Sequence, residues 1–236
     1  MNTHLTVPGR ADAPVVLTCE HAVETLPEPW SWPDADRRLL GTHWSHDIGI
    51  ADLTREVAAL AKWPATLAAF SRLLVDPNRA PEQENLFRAE ADGLPIVFNA
   101  DLSASERARR LAFHAGYHDA CDAMVAATPE ALVFSMHSFT PDYEGEIRRM
   151  EVGVLFNHHE PPARRLAAHL DGAGWAVALN EPWSGREGLM YAADRHSGVH
   201  GRVALEIEVR QDLLLKPEAL RRLARDLVGF FEPGAR

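Results

Sequence analysis

Two histidines stand just past short apolar runs: Val15–Thr18 leads into Cys19-Glu20-His21, and Ala131–Phe134 leads into Ser135-Met136-His137. Imidazoles so placed suit metal ligation or proton transfer near neutral pH. A catalytic zinc site takes three protein ligands from His, Asp or Glu and keeps one position for water. His21 and His137 are the best placed nitrogen ligands, and the third has two candidates. Glu24 makes a His-x-x-Glu pair with His21; Asp47 stands at the head of the periodic run IGIADLTREVAALA, where a simple N-cap is the plain alternative. Glu206 and Glu208 share one side of an otherwise apolar strand. Acids on a half-buried face are costly unless paired or coordinated, so one is expected to be the general base for a metal-activated water whose pKa falls toward ~7. An exposed edge strand is the other account of this pair.

Arg72, Asn78 and Arg79 flank the turn Asp76-Pro77, and Arg148-Arg149 follow His137. Guanidinium forks match carboxylates bidentately, so these residues could anchor an anionic substrate or form ordinary surface ion pairs. His114 and His118 lie one helical turn apart, a spacing that can bind metal; with no acid on the same face, core packing is expected. Of the twelve histidines, His4, His43, His158, His159 and His169 are read as surface residues. Ser135 and Ser138 adjoin His137, which does not make a nucleophile pair, and no GxSxG, GxGxxG or P-loop pattern occurs.

The elements that must position these groups alternate between strand and helix. Strands are expected at Val15–Thr18, Ala65–Phe70 running on through Val75, Ala131–Phe134, Glu151–Phe156, Trp175–Leu179 and Val203–Val209. Helices are expected from Ile48 to Ala61, from Ser103 (with a capping box to Glu106) to about Ala127, at Pro162–Asp171 and at Pro217–Phe231. Residues 80–101 and 180–201 read as long loops. This order indicates an α/β fold with a mixed, largely parallel sheet, whose ligand edge lies at the carboxyl ends of the strands. With no internal repeat or linker, 1–236 is read as one domain.

The totals narrow the classes. A formal net charge of −10 with no basic stretch argues against nucleic acid. No apolar run approaches the ~20 residues of a membrane helix, and the amino terminus lacks a signal-peptide core, so a cytoplasmic protein is expected. Two cysteines without a CxxC spacing indicate neither a disulfide framework nor a thiolate metal site. Oligomeric state is not legible.

Taken together, CEHA at 19–22, HDIG at 46–49, SRLLVDPNR at 71–79, YH at 117–118, SMHSFTP at 135–141, NEPWS at 180–184 and LEIEVRQDL at 205–213 resemble the N-formylglutamate amidohydrolase family over nearly the whole chain. The resemblance extends to zinc carboxypeptidases and zinc amidases of cell-wall metabolism. It implies a three-layer sandwich of the phosphorylase/hydrolase type and metal-assisted amide hydrolysis with one zinc ion. Similar sequences generally lack a glutamate three residues after the CEHA histidine, while related zinc amidases take an acid from the start of the first helix. The implied ligands are therefore His21, Asp47 and His137, with Glu24 in reserve. The resemblance also implies Glu208, rather than Glu206, as the general base. It makes Asn78 and Arg79 the holders of the α-carboxylate and Arg72 the group for an oxyanion or a second carboxylate; Arg148, from the basic pair after His137, is read as a further substrate contact. The expected substrate is a small anionic N-acyl amino acid. A zinc amidase acting on peptides or cell-wall fragments, and a non-catalytic metal-binding domain, are the alternatives. The PEQENLF loop is shorter than the histidine-degradation enzyme would suggest, so N-acyl amino acid hydrolysis is better supported than formylglutamate itself.

Overall fold

Apolar alternation and helical periodicity build three layers. A computed structural model describes residues 2–232, so the span expected for one domain, 1–236, extends beyond the described residues at both ends. The elements in order are β1 (His4–Val7), β2 (Val15–Cys19), α1 (Ile50–Ala61), β3 (Ala65–Ala68) and the small pair β4 (Glu90–Ala91) and β5 (Leu94–Pro95). Then come α2 (Ala104–Ala127), β6 (Leu132–Phe139), the hairpin β7 (Asp142–Tyr143) and β8 (Glu146–Ile147), β9 (Val152–Leu155), α3 (Glu160–Gly172) and β10 (Val177–Leu179). The chain continues through α4 (Tyr191–His200), β11 (Ala204–Arg210), α5 (Gln211–Leu214) and α6 (Pro217–Phe231).

Seven strands form one sheet in the order β1-β3-β2-β6-β11-β9-β10. The pairs β3/β2, β2/β6, β6/β11 and β9/β10 are parallel, while β1/β3 and β11/β9 are antiparallel. The sheet is thus mixed and largely parallel, as its near-continuous apolar strands require when both faces are covered. Helices α1, α3 and α6 cover one face; α2 and α4 cover the other. Alternation assigns the side chains: Leu17, Phe134, Met136, Leu205, Ile207 and Val209 enter the core under α1 and α6. Val16, Val133 and Ala204 pack beneath α2 and α4.

Ser103 caps α2 as expected, its Oγ accepting the Glu106 amide at 3.1 Å. Four local expectations change. Strand β3 stops at Ala68, and Ser71–Val75 leaves the sheet in turns that carry Arg72 toward the sheet edge. Strand β6 continues to Phe139, so His137 sits on the strand rather than in a loop beyond it. The expected loop 180–201 contains α4, whose buried side is made of Ala192, Ala193, His196 and Ser197. Strand β11 is central, which removes the exposed-edge account of Glu206 and Glu208: the two are only 1% and 5% exposed. No described helix is long and apolar enough to cross a membrane.

Candidate active site

The site occupies the edge at the carboxyl ends of β2, β3, β6 and β11. Pleat alternation aims Ser135, His137, Glu206 and Glu208 to the α2/α4 side, with Glu206 opposite Ser135 and Glu208 opposite His137. Glu20, one residue past β2, continues the same face as Val16 and Thr18. His21 follows in the turn, and its carbonyl accepts the Asp47 amide at 2.9 Å, tying the two segments together. Asp47 precedes α1 by three residues and is not its cap: Gly49 occupies that position at φ 80°. The left-handed conformation favours glycine, and a Cβ there would meet Leu214 Cβ at 2.5 Å.

One donor atom from each of His21, Asp47 and His137 lies within 4.8 Å of the others, and all three residues are buried. His137 Nδ1 is 2.9 Å from Asp47 Oδ2, and His21 Nδ1 is 3.5 Å from Asp47 Oδ1. The other ring nitrogens face carboxylates: His21 Nε2 meets Asp76 Oδ1 at 2.7 Å, and His137 Nε2 meets Glu20 Oε2 at 3.0 Å. Metal-bound histidines are usually oriented in this way. His21 Nδ1 is buried without a hydrogen-bond partner. A lone pair left orphaned beside a carboxylate and a second imidazole is what a cation ligand looks like, so these residues fit a zinc-type ion.

The electrostatics agree with that fit. Burial opposes charge on His137, but the negative surroundings of Glu206, Asp47 and Glu20 outweigh it and hold its pKa well above the ordinary value. The pocket therefore calls for positive charge. Burial would raise Glu20, yet hydrogen bonds from His137 and Ser135 hold its pKa down, at about 2. Glu206 and Glu208 move the other way. Burial lifts Glu206 to about 7 and Glu208 well above the carboxylate range, and Oε2 of each is buried and unpartnered.

A cavity of about 260 Å³ opens on this cluster, lined by His21, Asp47, His137 and Glu208 and by the arginines 72, 79, 88 and 148. Arg72 is engaged, its Nη2 donating to Asp76 Oδ2 at 2.8 Å and its Nη1 lying 3.5 Å from Asp47 Oδ1. Among the described residues Arg79, Arg88 and Arg148 have no carboxylate partner. Arg148 lies against Tyr143, Trp183 and Phe139, 4.9, 5.1 and 5.6 Å from the ring centres. Asn78 is committed to the scaffold: its Oδ1 accepts the Ala192 amide at 3.0 Å, and its Nδ2 donates to the Leu189 carbonyl at 3.2 Å. Glu24 is elsewhere, accepting from the Gly41 amide and from Ser45 Oγ.

A model of the family described as N-formylglutamate amidohydrolase matches residues 13–215. The chain belongs to that family. This family member superimposes on the gene product Atu2144 of Agrobacterium tumefaciens with a TM-score of 0.90 and 26% identity, over 97% of this chain and 93% of the other. It also shares the fold of the N-formylglutamate amidohydrolase from Ralstonia eutropha JMP134, at a TM-score of 0.74 and 18% identity, over 100% and 97% of the two chains. No curated protein matches it by sequence.

Sequence reasoning on this amidohydrolase-family chain missed Glu20 and Asp76. Glu20 carried a signal: it continues the alternation Val16, Thr18 of a buried strand. Asp76 reads as a turn former, and it is one, since its Oδ1 accepts the Asn78 amide at 2.9 Å. The same oxygen faces His21 Nε2, and local sequence does not announce that second partnership. Arg88, which lines the cavity and stacks on Trp44 at 4.3 Å, was also unforeseen.

Proposed function

We propose that this protein hydrolyses the amide bond of an N-acyl amino acid of the N-formylglutamate kind, with one zinc ion held by His21, Asp47 and His137. The observation that carries this reading is the orphaned Nδ1 of His21, in a cluster that shares its cavity with Glu208 and with Arg79, Arg88 and Arg148, which have no carboxylate partner among the described residues. When bound, zinc supplies Lewis acidity toward the scissile carbonyl and a lower pKa for water. Glu208 accepts the proton of the attacking water and returns it to the nitrogen of the leaving amine. Arg79 takes the α-carboxylate of the substrate, and Asn78 holds the turn that aims it. Arg148, stacked on its aromatic neighbours, takes a further anionic or carbonyl group, while Arg72 supplies positive charge beside the carbonyl oxygen as the oxyanion develops.

The test is hydrolysis of an N-acyl amino acid series, including N-formylglutamate, by zinc-loaded protein. Turnover is expected. Glu208→Gln should lower kcat by about 10²–10⁴-fold with zinc content unchanged. Cleavage of peptides alone would move the activity to a peptide or cell-wall amidase. No hydrolysis by zinc-loaded protein would overturn the reading, as would full activity in Glu208→Gln.

A further inference from the structure

Beside the site, between α2 and α4, three histidines form a hydrogen-bonded row. His114 Nε2 lies 2.9 Å from the Arg79 carbonyl and 3.3 Å from His118 Nε2. His118 Nδ1 lies 3.0 Å from His196 Nε2, and His196 Nδ1 lies 2.7 Å from Asp122 Oδ1. The three imidazoles are 4%, 2% and 0% exposed.

The two ends determine every proton. The Arg79 carbonyl only accepts, so His114 carries its proton on Nε2. His118 Nε2, facing that N–H, must then be a lone pair, which puts the His118 proton on Nδ1. His196 Nε2 must accept it, leaving the His196 proton on Nδ1, donated to the Asp122 carboxylate, which at 2.7 Å is nearer to that nitrogen than Arg195 Nη1 at 3.1 Å. One neutral tautomer of each ring satisfies the row, and an added proton on His118 or His196 sets two N–H groups against each other. The row is not a second metal site: among the described residues only His21, Asp47 and His137 bring donors together for an ion.

We propose that His114, His118, His196 and Asp122 form a relay of neutral imidazoles that holds the Asn78–Arg79 turn from behind. His118 is then a positioning residue for the substrate carboxylate. The same turn is gripped a second time by α4, through the Ala192 amide on Asn78 Oδ1, so the relay and α4 act on one target. This inference rests on the reading of Arg79 as the carboxylate anchor. The groups facing the relay are Glu20, Asp76, Glu82, Arg79 and Arg195, the phenols of Tyr117 and Tyr191, and His200, which shares Asp122.

Two measurements on the zinc-loaded full chain test it. Nitrogen-15 NMR of labelled histidine should show Nδ1–H tautomers for His118 and His196 and an Nε2–H tautomer for His114. A cationic or Nε2–H His118 at neutral pH overturns the relay. With N-formylglutamate as probe, His118→Phe should raise KM about tenfold with kcat within about twofold; equal losses in kcat and kcat/KM overturn the positioning role. Asp122→Ala, at the half-exposed end, keeps the test available if the core variant fails to fold: His196 should lose its single tautomer and KM should rise, and no change in either overturns the proposal. If no N-acyl amino acid is turned over, the proposed function fails separately. The relay is then judged by the tautomers and by the carbonyl carbon-13 signal of Arg79, which must shift in Asp122→Ala.

Discussion

Each histidine of the proposed metal site turns one nitrogen inward and gives the other to a carboxylate, His21 to Asp76 and His137 to Glu20. This division fixes the rings before any ion arrives and raises their basicity as ligands. Asp47 is held by the Ser138 amide at 3.1 Å and by Arg72, so it too is preset. Glu24 meets none of these groups. Asp47→Ala is therefore expected to abolish stoichiometric zinc, while Glu24→Ala retains it; metal analysis after dialysis against free zinc decides. At this scale the histidines and Glu208 were legible because apolar runs ending in polar residues announce a strand delivering chemistry. The carboxylates behind the histidines were not, because Asp76 and His21 are joined by tertiary alignment alone, across 55 positions of the chain.

At the scale of elements, β11 carries the proposed base between two neighbours of opposite direction. Its Glu208 lies opposite His137 on β6 and opposite Gly153 on β9. Gly153 matters because a Cβ there would come 2.0 Å from the Glu181 carbonyl oxygen and 3.3 Å from Glu208 Cβ. Gly153→Ala should cost about 1–3 kcal/mol, read from the urea midpoint, and should lower kcat by displacing the base. The alternation LEIEVR made β11 visible in sequence, but not its central place, since edge and interior strands share that pattern when the acids face a site. The helix α4 escaped because its inward residues, Ala192, Ala193, His196 and Ser197, are too small or too polar to mark a periodic apolar stripe.

For the molecule as a whole, the three-layer order of the sheet and helices followed from strands alternating with helices, whereas the placing of β11 between β6 and β9 had no local signal. The burial of neutral histidines adds a cost in acid. Burial, with His114 and His196 beside it, pushes the His118 pKa down to about 2, whereas an unfolded histidine titrates near ~6.5. Between those values only the unfolded chain binds the proton, so the stability is complete above the unfolded pKa and is lost as pH falls below it. The slope approaches ~1.4 kcal/mol per pH unit for this one group. Urea midpoints of metal-free protein from about pH 7 to 5 should fall, and His118→Phe should flatten that fall. Glu20, held at about 2, contributes in a lower window: its stabilisation is present above the unfolded value of ~4.3 and disappears only as pH falls toward the folded one.

The sheet order has a consequence in time. The last strand in the chain, β11, is inserted between β6 and β9, which do not pair with each other. Until residues 204–210 are in place the two halves of the sheet have no hydrogen-bonded seam, and each presents an open edge. A newly made chain thus carries His21, Asp47 and His137 long before it possesses the strand that delivers Glu208. Contacts between distant segments form slowly and leave edges exposed meanwhile. The proposed ligands can be gathered early, but the proposed active centre is completed only at the final closure, so incomplete chains that hold metal would still lack the proposed proton acceptor.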